Sequence, residues 1–362
     1  MRVLHLVPQL FGRSGIFGGA ERYATELATA MSAHAQTRLV GFRPRRNPGA
    51  APPRRQGALE VYRLRNYLLG PRFDVSPAGP TLLPHLLWAD VIHCHQIYTL
   101  GTSAALLYAR AARKPVFLTD HGGGGVSLNT YWKLEAAATA RLWVSGLSQR
   151  ASSVPPRPGD QIIYGGFDPQ RFVPAASAAP PATDVLYVGR VVHEKNLHHL
   201  VAAVDQVTRV SILGPAYDPS YLRELLELGR GKSISYLPEA DGDALVQAYQ
   251  QALCVVLPGR ETLGLTALEA MACGRSAVCM TNSGIAEIIE DGRTGWIVPA
   301  GDAAALRDRL AWVRTHPAEA AAAGRAACAR IQTDFTWEAV ARRCLAAYAN
   351  ARAAAARPAS GR

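Results

Sequence analysis

At 362 residues the chain is longer than one typical domain and suits two. With 49% hydrophobic and 19% charged residues it is globular, which excludes an intrinsically disordered chain. The net charge of +11 rests almost wholly on arginine, since only four lysines occur, and it favours anionic partners: a nucleotide, a lipid diphosphate or an acidic membrane surface.

The apolar N-terminal run, 3–10, is interrupted by His5, Pro8 and Gln9 and is too short for a signal peptide or a membrane span. No later segment is long enough either, so the expectation is a cytoplasmic protein, at most peripheral at the inner face of the membrane. Residues 3–7 read as a first strand. A glycine-rich loop ending in Gly18-Gly19 follows, without the G-x-G-x-x-G dinucleotide fingerprint. Apolar positions 20, 24, 27, 28 and 31 predict a helix over 20–31. Residues 38–42 form a second strand, and the Pro/Arg/Gly-rich stretch 43–57 reads as an exposed, solvated loop, with a membrane-facing patch as the alternative. Strands follow at 58–64 and 90–94. His93 and His95 share one strand face, but no third ligand accompanies them locally, so they read as structural or substrate-contacting rather than metal-binding. The strand 116–119 ends in Asp120-His121 and four glycines, which aims His121 at the crevice where open α/β sheets bind ligands. A further strand is expected over 142–148.

From 152 to 181 prolines accumulate, marking the best domain boundary. Beyond it the βα alternation restarts. Strands are expected at 185–188, 210–213, 234–237, 253–257, 277–280 and 296–298, with helices at 196–206, 219–228, 243–252 and 264–273. The C-terminal stretches 302–315, 317–331 and 335–356 are Ala/Arg-rich helices. Two successive arrays joined by a hinge imply an α/β protein of two doubly wound, Rossmann-like domains facing a central cleft. Cysteines 94, 254, 273, 279, 328 and 344 include no CxxC pair and read as buried thiols in a reducing cytosol.

The centre of the second domain is the stretch 257–274. A buried strand, a Pro-Gly turn carrying Glu261, and a small-residue helix entry at Gly264, Leu265 and Thr266 make a phosphate-binding apparatus, because amides at a helix start are unpaired and the dipole favours an anion. Glu269 lies about two turns further on. Either carboxylate can accept two hydroxyls of a ribose or a sugar, against the plain alternative of solvated surface charges. Arg190 and Lys195, directly after the strand at 185–188, can close on a diphosphate, the arginine as a fork and the lysine as a point charge.

Taken together these pieces resemble the retaining GT-B glycosyltransferases of family 4. The matching stretches run in family order: Gly18-Gly19-Ala20-Glu21, Asp90-Val91-Ile92-His93, Asp120-His121-Gly122, Gly166-Phe167-Asp168, Gly189-Arg190 with Glu194-Lys195-Asn196, Glu261 to Gly274, and Asp291 to Gly295 with Gly301-Asp302. The resemblance implies transfer of a hexose-type sugar from a UDP-, GDP- or ADP-sugar donor, with retained configuration and with neither metal nor cofactor. The acceptor would be a sugar, a lipid-linked or a small-molecule hydroxyl, in polysaccharide, glycolipid or glycoconjugate synthesis, with no nucleic-acid partner. Carried over by residue, Arg190 and Lys195 neutralise the diphosphate, and amides at Gly264, Leu265 and Thr266 cradle it, with Gly18 and Gly19 reaching in. Glu269 binds the ribose, Glu261 and His121 touch the sugar, and backbone near Leu237 holds the base. The domains are then 1–163 on the acceptor side, a linker at 164–183, a donor domain at 184–334, and a return helix with a frayed tail at 335–362. Front-face attack is favoured by the resemblance, with a double displacement through Glu261 as the rival.

Three departures stand out: Gly165 where relatives often carry Asn, Leu263 for a frequent aromatic, and Arg275-Ser276-Ala277 for a usual x-Pro-Val. None removes a charge from the site. Asp241-Gly242-Asp243 matches the D-x-D metal motif of a different glycosyltransferase fold, but it precedes a helix and reads as a cap. The competing functions are a GT-B sugar-nucleotide epimerase or phosphorylase, and a non-enzymatic basic module for membrane or nucleic acid.

Overall fold

The apolar N-terminal stretch forms β1 (Arg2–Gln9), followed by α1 (Gly19–Met31), β2 (Gln36–Phe42), β3 (Arg54–Gln56) and β4 (Leu59–Leu64). Next come α2 (Leu83–Trp88), β5 (Val91–His95), α3 (Leu100–Ala112), β6 (Val116–Thr119), β7 (Ala140–Trp143), α4 (Gly146–Ala151) and β8 (Gln161–Ile162). The computed structural model describes residues 1–9, 19–43, 54–68, 76–121, 127–128, 132–152, 154–176, 180–238 and 242–356. Gly18, the glycines 122–125, Asp241, most of the loop expected at 43–57 and the extreme tail lie outside the described residues. The chain divides into two units, Met1–Tyr164 with Trp337–Arg362, and Gly165–Thr336.

In the first unit the strands are ordered β3-β4-β2-β1-β5-β6-β7-β8. All pairs are parallel except β3 on β4. Strands β5, β6 and β7 are buried along their whole length, the signature of a parallel sheet covered on both faces. One face of α1 (Tyr23, Ala24, Leu27, Ala28 and Met31) is buried, which matches the helical periodicity read from the sequence.

Two sequence readings need correction. Arg54–Gln56, expected in a loop, pairs antiparallel with β4 as an edge strand. The strand expected over 142–148 stops at Trp143, because Ser145 and Ser148 cap each other reciprocally and start α4. Helices α2 and α3 lie between the strands expected at 58–64, 90–94 and 116–119. Thr99 caps α3, and Arg113 ends it in a left-handed conformation.

The second unit contains β9 (Thr183–Val188), α5 (Leu197–Ala203), β10 (Val210–Leu213), α6 (Pro219–Leu228), β11 (Ile234–Leu237) and α7 (Gly242–Gln250). It continues through β12 (Ala252–Leu257), α8 (Leu265–Ala272), β13 (Ser276–Met280), β14 (Gly295–Val298), α9 (Ala303–Thr315) and α10 (Pro317–Ile331). The parallel sheet has the order β11-β10-β9-β12-β13-β14. The chain therefore enters at the middle, winds outward through β10 and β11, and returns to wind the other way from β12. That reversal is the doubly wound switch point. Asp218 caps α6 ahead of Pro219, and Asp302 caps α9.

The last helix, α11 (Trp337–Ala356), belongs to the first unit, as expected of a return helix. Trp337 meets the Tyr23 ring edge-on at 5.2 Å, and Glu338 pairs with His34 at 2.7 Å. Tyr348 packs on Phe117 with ring centroids 4.7 Å apart. No helix among the described residues is long and apolar enough to cross a membrane. All six cysteines are free thiols, with only Cys328 partly exposed. Burial pushes the thiols of Cys94, Cys254, Cys273, Cys279 and Cys344 up to about 12, so they are inert at neutral pH.

Candidate functional site

In the second unit the switch point lies between β9 and β12, and the loops leaving their C-terminal ends carry the candidate residues. After β9 the chain turns at Gly189-Arg190 and makes a 3-10 turn, His193–Lys195. After β12 it runs through Gly259, Arg260 and Glu261 to Gly264, which caps α8. The two loops touch: a Cβ on Gly259 would lie 2.7 Å from the Lys195 carbonyl carbon and oxygen. This approach brings Lys195 Nζ to 2.6 Å from Glu261 Oε1, a pair with 16% and 22% of the two side chains exposed. The Glu261 carbonyl accepts from the Gly284 amide at 2.9 Å, anchoring the loop from its other side.

Gly264 is required at the head of α8. Its φ of +99° favours glycine, and a Cβ there would meet Leu257 Cδ2 at 2.9 Å and Ile285 at 3.2 Å. The helix it caps buries Ala267 to Ala272, so its first amides, at Leu265 and Thr266, open on the partly exposed side of the loop. Arg190 is exposed. Its carbonyl accepts from the Tyr187 hydroxyl at 2.8 Å, and a Cβ on Gly189 would meet that hydroxyl at 2.8 Å. Tyr187 thus shapes the Arg190 turn, a role the sequence reading missed because a tyrosine inside a strand reads as core.

Glu269 sits on the buried face of α8, 3% exposed, with Oε2 accepting from the Tyr249 hydroxyl at 2.8 Å. Leu237 ends the edge strand β11 at 48% exposure, two strands from β9, and its carbonyl accepts from the Gly214 amide at 2.9 Å. The structure therefore brings Lys195, Glu261, Gly264, Leu265 and Thr266 together, and sets Leu237 further along the same sheet edge.

In the first unit Gly19 opens α1 with open space where a Cβ would stand. His121 follows β6, and its Nε2 lies 3.3 Å from His95 Nδ1. No third ligand lies near His93 and His95 in the sequence, but strand pairing brings one. His5, on β1 and in register with His93, joins them, and ligand atoms of the three lie within 4.8 Å of one another. Sequence reasoning missed this because His5 is 88 positions from His93 and only strand pairing unites them. Every ring nitrogen of the three is hydrogen-bonded. His5 pairs with His95 at 3.0 Å and with Met31 Sδ at 3.3 Å. His93 pairs with Thr119 at 2.7 Å and with Tyr348 at 2.6 Å. Burial holds His5 and His121 down at about 3, and His93 and His95 well below the ordinary 6.5, so the cluster is uncharged at neutral pH.

Residues 17–154 match the profile of glycosyltransferase family 4, and residues 173–330 that of the glycosyl transferases group 1. The chain is 32% identical over 191 residues to a glycogen synthase of Mycobacterium tuberculosis, covering 50% of this chain and 46% of that protein. It is 28% identical over 308 residues to the alpha-maltose-1-phosphate synthase of the same species, covering 72% and 79%. Among solved structures, sucrose-phosphate synthase from Thermosynechococcus elongatus superposes with a TM-score of 0.77 at 21% identity, over 98% of this chain and 100% of that one. HepE from Anabaena, in complex with UDP-glucose, gives 0.72 at 19% identity, over 97% and 100%.

Proposed function

We propose, since the chain belongs to the GT-B glycosyltransferases of family 4, that it moves a hexose-type sugar from a nucleoside-diphosphate donor to a hydroxyl acceptor with retained configuration and without a metal. The observation that carries this reading is the meeting of Lys195 and Glu261 at the switch point, beside the head of α8. As the glycosidic bond breaks, charge builds on the diphosphate leaving group. Lys195, Arg190 and the amides of Leu265 and Thr266 stabilise that charge more in the transition state than in the ground state, in place of a divalent cation. Glu261 takes hydroxyls of the sugar, and Glu269 meets the ribose. The leaving phosphate deprotonates an acceptor that arrives on the same face. A solved relative of this fold holds UDP-glucose, which makes it the first donor to try. The acceptor is a sugar, lipid-linked or small-molecule hydroxyl, and the positive charge suits work at an anionic membrane surface.

A thermal-shift screen of UDP-, GDP- and ADP-sugars tests this. A donor at a hundred times its Kd adds about 2.7 kcal/mol of stability. Transfer with the stabilising donor should collapse in Glu261→Ala and Arg190→Ala and persist in EDTA. The assignment fails if no nucleotide sugar raises Tm, or if both variants match the wild type. Isomerised donor formed without acceptor would indicate an epimerase, and turnover dependent on free phosphate a phosphorylase.

A further inference from the structure

Helix α2 is apolar on both of its faces. Its residues, Leu83 to Trp88, include no carboxylate, lysine or arginine. Inward, His85 and Leu86 are buried, and the His85 ring lies 4.4 Å from that of Tyr62. Outward, Leu83 and Leu87 stand one helical turn apart at 50% and 58% exposure. A helix that is apolar all round is ordinarily covered all round, so the outer pair is a contact surface. Tyr67, 48% exposed, extends it. A Cβ on Gly79, the residue that leads through the 3-10 turn Pro80–Leu82 into α2, would meet the Tyr67 ring at 2.8 Å.

Cations flank this surface. The Arg65 guanidinium lies 5.3 Å from the centroid of the Tyr67 ring. Lys114 donates from Nζ to the carbonyls of Leu86 and Leu87 at 2.9 Å each, which fixes a positive charge at the C-terminal end of α2. Helix α3, which packs against α2, carries Arg110 in its last turn and Arg113 at its cap, both exposed and without an ion pair among the described residues. Between Asp90 and Asp120 the chain has no acidic residue. Asp90 is itself bound by Arg2 at 2.8 Å, and Glu60 by Arg38 at 2.7 Å.

We propose that the outer face of α2, with Tyr67 and the cations Arg65, Arg110, Arg113 and Lys114, is a docking surface for an anionic lipid bilayer. Leucines enter the acyl boundary, the tyrosine sits at headgroup level, and the basic groups meet lipid phosphates. A second copy of the chain is the poorer occupant, because a two-fold contact would set these cations against themselves.

The test is co-sedimentation of the full chain with vesicles, either pure phosphatidylcholine or phosphatidylcholine with one third phosphatidylglycerol. The wild type should partition onto the anionic vesicles at least about tenfold more strongly than onto the neutral ones, and raising NaCl from about 0.1 to about 0.5 M should weaken that binding severalfold. Leu83→Ser with Leu87→Ser should lower the partition coefficient at least about tenfold at unchanged Tm, by removing the apolar insertion. Arg110→Glu with Arg113→Glu leaves α2 intact and should cause a loss of the same order. Failure of the wild type to sediment with anionic vesicles, equal binding to both vesicle types, or wild-type binding by either double variant would each overturn the proposal. A wild-type dimer that Leu83→Ser with Leu87→Ser abolishes would assign the face to a second copy instead. No sugar donor or acceptor is present, so the docking surface and the transferase reading stand or fall separately.

Discussion

Gly259→Ala isolates the geometry on which the site depends. Gly259 has no positive φ, so the substitution tests space and not backbone strain. The added Cβ would stand 2.7 Å from the carbonyl carbon and oxygen of Lys195 and 2.8 Å from the Glu194 oxygen, and these are backbone atoms that cannot swing aside. Ordinary contact begins at 3.4 Å, so the β9 and β12 loops must part from 2.7 to at least 3.4 Å. Lys195 rides on one loop and Glu261 on the other. A shift approaching 1 Å in a catalytic constellation costs up to about 100-fold, so kcat/KM should fall about 10- to 100-fold, roughly 1.4–2.7 kcal/mol of transition-state stabilisation. The assay is steady-state transfer from whichever nucleotide sugar raises Tm. Gly231→Ala serves as control: it has φ of +78° and open space around its Cβ, so it costs about 1 kcal/mol of stability without touching kcat/KM. Gly259→Ala kinetics within twofold of wild type would show that the spacing of the two loops does not govern the reaction.

Two further outcomes concern the first unit. Arg141 and Asp160 are each 1% exposed at the side chain, and Asp160 takes the Arg141 guanidinium through Nε at 2.9 Å and Nη2 at 2.5 Å. Asp160→Ala should therefore cost about 3–5 kcal/mol in urea unfolding, since it strands a buried cation, and a loss below 1 kcal/mol would deny the pair that role. For acid stability, the unfolded chain takes up protons near 6.5 that folded His5 and His121 refuse until about 3. Their stabilisation is complete above about 6.5 and drains as pH falls toward 3, about 1.4 kcal/mol per pH unit for each ring. His5 alone should cost about 2 kcal/mol between pH 6.5 and 5, and equal urea midpoints at pH 7.5 and 5 would contradict its neutral burial.

The second unit was the more legible in the sequence. All six of its strands fall within two residues of expectation because most are short apolar runs that end at a Gly or Pro, and the central strands β12 and β13 are buried along their whole length, as a parallel sheet covered on both faces demands. The phosphate-ready loop was legible for a similar reason, since Pro-Gly, then Gly before a run of helix formers, is local chemistry. The first unit was harder. Arg54–Gln56 has no apolar alternation, and its pairing comes from the neighbouring strand. Ser145 could not be told from a strand residue without its partner Ser148. Lys195 with Glu261, His5 with His93, and Tyr249 with Glu269 are long-range pairings, and the spacing of residues in sequence carries no record of which loops a sheet brings together.

The contact between Lys195 and Glu261 separates binding from chemistry. A lysine side chain carries about 2 kcal/mol of rotamer entropy, and the 2.6 Å bond to Glu261 spends that entropy before any ligand arrives. An ammonium has three donors, so Lys195 can keep one on Glu261 and still turn two toward a diphosphate. The same carboxylate places a negative charge beside the position proposed for the phosphates, which would oppose their binding. Glu261→Gln keeps an acceptor for Lys195 and removes that charge. UDP affinity should then rise, by about tenfold for a gain of 1.4 kcal/mol, while transfer falls because the amide is a poorer partner for sugar hydroxyls and no nucleophile at all. Calorimetric titration with UDP, set against the transfer rate, reads both. Weaker UDP binding in Glu261→Gln would mean that the carboxylate charge is needed to position Lys195, and that tethering outweighs repulsion at this site.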